Sequence, residues 1–151
     1  MRTYLVVVDE SEEAEVALRF AARRAAKTGG AVEVLVIVRP GEFLAWGGVQ
    51  ATMEDEAREL AEEVVTRAFD MLGEESVTAP QIQVRNGEPF AVVRAALADN
   101  PEIGALVLGA ARSGKPGPLV SHFTGADAGA LPCPVMVIPG SLSREALDRM
   151  S

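Results

Sequence analysis

The chain has 151 residues, 48% of them hydrophobic, which is enough for one domain with a sizeable core. Its formal net charge of −8 argues against general binding to nucleic acid or to an anionic membrane, because surfaces of like sign repel. The single cysteine, Cys133, excludes an intrachain disulfide and a cysteine-based metal cluster. No segment has the length of a membrane span or the pattern of a signal peptide, so we expect a cytoplasmic protein.

The first two predicted elements are a buried strand and an alanine-rich helix. The strand covers Tyr4 to Val8, an apolar and mostly β-branched run that stops at Asp9. Ser11 is a natural N-cap, and the acids in the next turn suit the helix dipole. The helix ends at Gly29-Gly30, and its apolar stripe consists of Ala14, Ala17, Leu18, Ala21, Ala22 and Ala25.

The next segment is predicted to contain a second strand, a loop and an acidic helix. The strand runs from Val32 to Val38, and the helix covers about Thr52 to Leu72 with a solvated acidic face. The loop between them, from Gly41 to Gln50, holds Phe43, Leu44 and Trp46. These three side chains would line a cleft, join a dimer contact or pack within the loop.

A third strand and a third helix follow. Polar and apolar residues alternate from Gln81 to Arg85, which is typical of a half-exposed edge strand. Asn86-Gly87 forms a turn, and Pro89 is expected at the first position of a helix that reaches about Ala98.

The most informative stretch is a buried strand followed by a loop that is rich in glycine and carries two cations. The strand runs from Ala105 to Leu108 and ends at Gly109. Ser121 is expected as the N-cap of a helix that reaches Ala130. Such a loop beside a helix N-terminus is typical of phosphate binding. The residues that would approach the phosphate are Arg112, Ser113, Gly114, Lys115 and Gly117.

The end of the chain is predicted to hold one more strand, from Val135 to Ile138, and a tail over residues 141–151 with a short helix. Strands and helices therefore alternate through five strands, which predicts a doubly wound parallel sheet with helices on both faces. We expect the strand order 3-2-1-4-5, which places Asp9 and Gly109 at one crevice. There Asp9 would bind ribose hydroxyls and the loop would bind phosphates.

Three stretches resemble the universal stress protein (UspA-like) family, in the same order and across nearly the whole chain. They are VVVDESEEAEVALRFAARRAA, VRNGEPFAVVRAA and ALVLGAARSG…LPCPVMVIPG. The resemblance implies a five-stranded domain, here over residues 1–140, and a homodimer formed through the last strand. In one branch of the family it also implies bound ATP or AMP, with the acid matching Asp9 and the backbone near Val38 holding the nucleoside.

The phosphate motif of that branch is only partly present. It has a glycine, two residues, a second glycine, nine residues and then Gly-Ser. Gly109 matches its first glycine, Arg112 stands where the second would fall, and the later Gly-Ser falls on Ser121-His122. Allowing a one-residue deletion, Arg112-Ser113-Gly114 matches a frequent stretch of the family.

These observations predict a stress-response protein that binds ATP or AMP, with or without Mg²⁺, as a regulatory ligand. The alternative is a nucleotide-free dimeric scaffold, in which Arg112 and Lys115 are solvated cations and Asp9 is a turn acid. Catalysis is not expected beyond weak ATP hydrolysis, because no nucleophile, base and orienting acid can be assembled. The predicted nucleotide-binding residues are Asp9, Val38, Gly109, Arg112, Ser113, Gly114, Lys115 and Ser121.

Overall fold

The computed structural model of the chain describes residues 2–39, 49–70 and 79–151. Its strands are β1 (Thr3–Val7), β2 (Ala31–Val38), β3 (Gln81–Asn86), β4 (Ile103–Ala110) and β5 (Val135–Pro139). Its α-helices are α1 (Glu12–Thr28), α2 (Val49–Asp70), α3 (Pro89–Asp99), α4 (Pro118–Phe123) and α5 (Arg144–Met150), and a 3₁₀ turn lies at Ala128–Ala130. Phe43, Leu44, Trp46 and Leu72 lie outside the described residues.

The strands form one parallel sheet in the order β3-β2-β1-β4-β5, which confirms the predicted order and the doubly wound class. β1 is central, since Val6 is paired with Val34 of β2 on one side and Val107 of β4 on the other. The winding reverses between β1 and β4. The carboxyl ends of these two strands therefore flank a crevice.

Each face of the sheet packs into its own hydrophobic core. Tyr4 and Val6 belong to the core beneath α1 and α2, whereas Leu5 belongs to the core beneath α3 and α4. This alternation is the period of two that a strand imposes on its side chains. The buried residues of α1 are the predicted stripe together with Phe20: Ala14, Ala17, Leu18, Phe20, Ala21, Ala22 and Ala25.

Both ends of α1 are capped as the sequence predicts. Ser11 Oγ accepts a hydrogen bond from the backbone N–H of Ala14 at 3.3 Å. Gly29 ends the helix in the left-handed region, with a φ of 69°, which glycine adopts without a steric penalty.

Pro89 begins α3, as predicted, and Glu88 is its N-cap. The Glu88 carboxylate accepts hydrogen bonds from the backbone N–H groups of Phe90 (3.0 Å) and Ala91 (2.9 Å). These two bonds stabilise the ionised form and lower the pKa of Glu88.

β3 is an edge strand, as predicted, and polar side chains connect it to its neighbours. Gln83 Nε2 donates a hydrogen bond to Glu33 of β2, and Arg85 Nε donates one to Gln83 Oε1 at 2.6 Å. Arg85 also pairs with Asp99 of α3 at 2.9 Å. We call Glu33, Gln83, Arg85 and Asp99 the edge network.

The prediction of one helix from Ser121 to Ala130 is wrong. The helix begins before Ser121, and it does not continue to Ala130. α4 begins at Pro118 with Gly117 as its N-cap, ends at Phe123, and is followed only by the 3₁₀ turn at Ala128–Ala130. Proline is favoured at the first helical position because it has no N–H to leave unpaired there.

Residues 141–151 pack back onto α1. Leu147 of α5 is buried in the core beneath α1, and Arg23 of α1 pairs with Asp148 at 3.3 Å. Lys27 donates a hydrogen bond to the backbone oxygen of Ser151. The division of the chain into a domain over residues 1–140 and a tail over residues 141–151 stays a prediction.

The first turn of α1 lies directly against the ends of β4 and β5. A Cβ atom added to Gly109 would lie 2.2 Å from the Glu13 carbonyl oxygen. One added to Gly140 would lie 2.8 Å from the Ala110 carbonyl oxygen and 2.9 Å from Glu13 Cβ. All three distances are too short for a real Cβ atom, so this packing requires glycine at both positions.

We therefore expect Gly109→Ala to destabilise the fold by about 1–3 kcal/mol, as overpacking of a close contact does. Urea unfolding at neutral pH measures the effect. Gly129→Ala is the matched control, because a Cβ atom at that position has no other atom within 4 Å. Equal stability of the two variants would contradict the packing argument.

Candidate functional site

The carboxyl ends of β1, β2 and β4 meet at the point where the winding of the sheet reverses. Asp9 follows β1, Arg39 follows β2, and Gly109 lies near the end of β4. Asp9 and Gly109 line the same cavity. The structure thus brings together the two residues that the sequence analysis placed at one crevice.

Two cavities share this crevice. The β2–α2 cavity has a volume of about 420 Å³, and its apolar wall consists of Val36, Ile37, Val38, Met53, Ala57 and Leu60. The β1–β4 cavity is smaller, about 150 Å³, and its loop wall consists of Gly109, Pro116, Gly117 and Pro118. Asp9 and Arg39 line both cavities.

Asp9 has a structural role as well as a position in the crevice. Its Oδ1 accepts hydrogen bonds from the backbone N–H of Ser11 at 2.8 Å and from Ser11 Oγ at 2.5 Å. Within the described residues, Oδ2 of Asp9 has no hydrogen-bond partner. One carboxylate oxygen of Asp9 therefore holds the turn before α1.

Val38 and Arg39 bring the end of β2 to the crevice. Val38 is buried, and its carbonyl oxygen accepts a hydrogen bond from the N–H of Gly87 at 3.1 Å. This bond fixes the backbone just before Arg39, whose exposed side chain lines both cavities. Arg39 was not predicted as a site residue, although it directly follows a strand beside the point where the winding of the sheet reverses, which was a usable signal.

The cationic part of the loop after β4 lies outside both cavities. Arg112, Ser113, Gly114 and Lys115 are all exposed and line neither of them. Arg112 Nη1 instead lies 3.6 Å from Glu12 Oε1, and both side chains are largely exposed. The loop is closed by a hydrogen bond from the Ala111 N–H to the Pro116 carbonyl oxygen at 3.1 Å.

Ser121 also lies outside the cavities. It is an exposed residue within α4, and its N–H donates to the Gly117 carbonyl oxygen at 3.0 Å. The expectation that Ser121 is an N-cap is therefore wrong, because Pro118 begins the helix one turn earlier.

A polar cluster fixes α4 to α3 beside the loop. Asp127 Oδ2 accepts from His122 Nε2 at 2.7 Å and from Arg94 Nη1 at 2.6 Å. The imidazole of His122 also stacks on the ring of Phe90, with centroids 3.9 Å apart. The hydrogen bond from His122, followed by the charges of His122 and Arg94, lowers the pKa of Asp127.

The cysteine gives no sign of a reactive site. Cys133 is partly buried against the core beneath α3 and α4, and burial raises the pKa of its thiol. A thiol that stays protonated is a poor nucleophile. In residues 2–39, 49–70 and 79–151, no group of three or more His, Cys, Asp or Glu side chains is placed to hold a metal ion.

The family of the chain can now be stated. The model of the universal stress protein family matches residues 1–139. The chain therefore belongs to the universal stress protein family, which confirms the resemblance seen in its sequence. Among the helices that the structure describes, none is both long enough and apolar enough to span a membrane.

Solved structures of similar fold cover nearly the whole chain. Universal stress protein UspA from Lactobacillus plantarum is 21% identical, with a TM-score of 0.70 over 91% of this chain and 97% of that one. The universal stress protein from Archaeoglobus fulgidus in complex with dAMP is 26% identical, with a TM-score of 0.52 over 91% and 97%. A universal stress protein in complex with cAMP is 15% identical, with a TM-score of 0.62 over 93% and 98%. No curated protein matches the chain.

We expect Asp127→Asn to lower the stability of the protein at neutral pH, because the charge that faces His122 and Arg94 is lost. Since the pKa of Asp127 is lowered from 3.8 in the folded state, its stabilisation is complete above pH 3.8 and is lost as the pH falls through the folded pKa. Urea unfolding at pH 7, 5 and 3 should show a difference from wild type that shrinks at the lowest pH. A constant difference would contradict this, and Asp55→Asn, at an exposed aspartate of α2, is the control.

Proposed function

We propose that this protein binds an adenine nucleotide as a regulatory ligand at the crevice between the ends of β1, β2 and β4, and acts in a cytoplasmic stress response. The observation that carries the proposal is the position of Asp9, which lines both cavities and keeps one carboxylate oxygen without a hydrogen-bond partner in the described residues. The relative from Archaeoglobus fulgidus, which is 26% identical, supports it because that protein is in complex with dAMP.

The two cavities suit the parts of a nucleotide. The β2–α2 cavity offers an apolar wall of Val36, Met53 and Leu60 for a flat base, and its volume of about 420 Å³ lies in the range of small-molecule sites. Asp9 Oδ2 would accept a hydrogen bond from a ribose hydroxyl. The β1–β4 cavity, with Gly109 at its wall, would receive the phosphate end.

The loop beyond this cavity would serve only a longer phosphate chain. Arg112, Ser113, Gly114 and Lys115 stay predicted phosphate contacts, and they would meet the outer phosphates of ATP with Mg²⁺ after a rearrangement of the loop. Ser121 stays a predicted contact of the same kind. We propose no catalytic role for these residues beyond weak hydrolysis of bound ATP.

We expect Asp9→Asn to weaken AMP binding by about tenfold or more, because a charged hydrogen-bond acceptor to the ribose is lost. The asparagine oxygen can still accept from Ser11, so the turn before α1 is retained. Isothermal titration calorimetry with AMP measures the change, and Asp55→Asn is the control. Unchanged affinity would contradict the role of Asp9, and no binding of AMP or ATP to wild type at millimolar concentration would contradict the proposed function.

A second candidate function is that of a dimeric interaction protein, and the exposed edge at β5 favours it. β5 pairs with β4, and its other edge has no partner strand among the residues that the structure describes. Val137 in this strand is 36% exposed, one of the large apolar side chains on the surface of the described residues. Free strand edges with apolar side chains are surfaces for pairing with another chain. We propose a homodimer formed through this strand.

We expect Val137→Lys to convert this dimer to a monomer, because a charge would be buried at the strand pairing. Sedimentation velocity over a range of protein concentrations measures the change. Met150→Lys is the matched control, since Met150 is exposed on α5, away from β5. A wild-type protein that is monomeric at all concentrations would contradict the proposed dimer.

A further inference from the structure

The residues that line the two cavities include more acidic than basic side chains. Four acidic residues, Asp9, Glu10, Glu13 and Glu56, line one cavity or both. In the described part of the chain, Arg39 is the basic residue of this lining, and it lines both cavities. The lining therefore has an excess of negative charge, which opposes the entry of an anion with several charges.

The position of Arg39 suits contact with a phosphate. Its backbone follows Val38, which is held in register with Asn86 of β3 and bonded to Gly87. Arg39 is exposed and lines both cavities. A guanidinium can bind two phosphate oxygens at once, which the ammonium of a lysine cannot do in the same geometry.

The space at the phosphate end is small. The β1–β4 cavity has a volume of about 150 Å³, about half of the lower limit for ordinary ligand sites. Pro116, Gly117 and Pro118 form part of its wall. Arg112, the loop cation nearest in sequence to Gly109, is paired with Glu12 outside the cavity.

We infer that Arg39 holds the phosphate of a nucleoside monophosphate, and that the crevice binds this class of ligand in preference to a triphosphate. The inference rests on the proposed nucleotide site and adds the ligand class and the residue that selects it. One phosphate can be matched by one guanidinium. Each further phosphate would add negative charge in a small cavity that is already lined by carboxylates.

The test is calorimetric titration of adenosine, AMP and ATP without Mg²⁺ into wild type, Arg39→Gln, Arg39→Lys and Arg149→Gln. For wild type we expect AMP to bind about tenfold tighter than adenosine, as a charged bidentate contact would give, and ATP to bind more weakly than AMP. Arg39→Gln should bring the ratio of AMP affinity to adenosine affinity close to one, and this ratio is independent of any change in adenosine affinity itself. Arg39→Lys should retain part of the difference, because the charge remains without the bidentate geometry.

Arg149→Gln controls for the change in net charge, since Arg149 is exposed on α5 and lines neither cavity. AMP affinity that is equal in wild type and Arg39→Gln would overturn the role of Arg39, while nucleotide binding itself would stand. ATP that binds more tightly than AMP without Mg²⁺ would overturn the preference for one phosphate. Failure of wild type to bind adenosine, AMP or ATP would instead overturn the proposed function together with this inference.

Discussion

The close approach of α1 to the ends of β4 and β5 is the constraint on which the rest of the structure depends. Glu13, in the first turn of α1, lies against Gly109 and Gly140 at distances that leave no room for a side chain. This contact fixes the start of α1, and with it the turn in which Asp9 bonds to Ser11. The crevice is therefore shaped by helix packing before any ligand is considered.

The same contact changes the interpretation of Gly109. A glycine after a switch-point strand is commonly explained by the approach of a phosphate to the backbone. Here a Cβ atom added at position 109 would clash with the Glu13 carbonyl oxygen, so the packing of α1 already requires glycine. Gly109 lines the β1–β4 cavity as well, so its presence alone does not distinguish a packing role from a ligand role.

The fold could be predicted from the sequence because each sequence pattern that indicates it is local or periodic. Each of these patterns reflects direct contacts of its residues with their own helix, strand or sheet. The patterns are the apolar stripe of α1, the Ser11 cap, Pro89 at the start of α3 and the alternation from Gln81 to Arg85. The order of the strands followed from right-handed crossovers and from the family resemblance.

The candidate site could be predicted from the sequence only in part, because the positions of its loop residues depend on how the loops fold in space. Asp9 and Gly109 were placed correctly at one crevice, since strand ends follow from topology. The cations of the loop were expected inside it, yet Arg112 lies outside both cavities and beside Glu12, a residue that precedes it by 100 positions. Ser121 was misplaced because Pro118 competes for the helix start, and Arg39 was missed because no motif marks it.

The edge network gives the two borders of the sheet opposite characters. On the β3 side, Gln83 and Arg85 are bonded to Glu33 of β2 and to Asp99 of α3, so this border carries polar and charged side chains. The β5 side presents Val137. Two copies joined along β5 would use the same edge of each chain, and such a contact closes on itself as a pair.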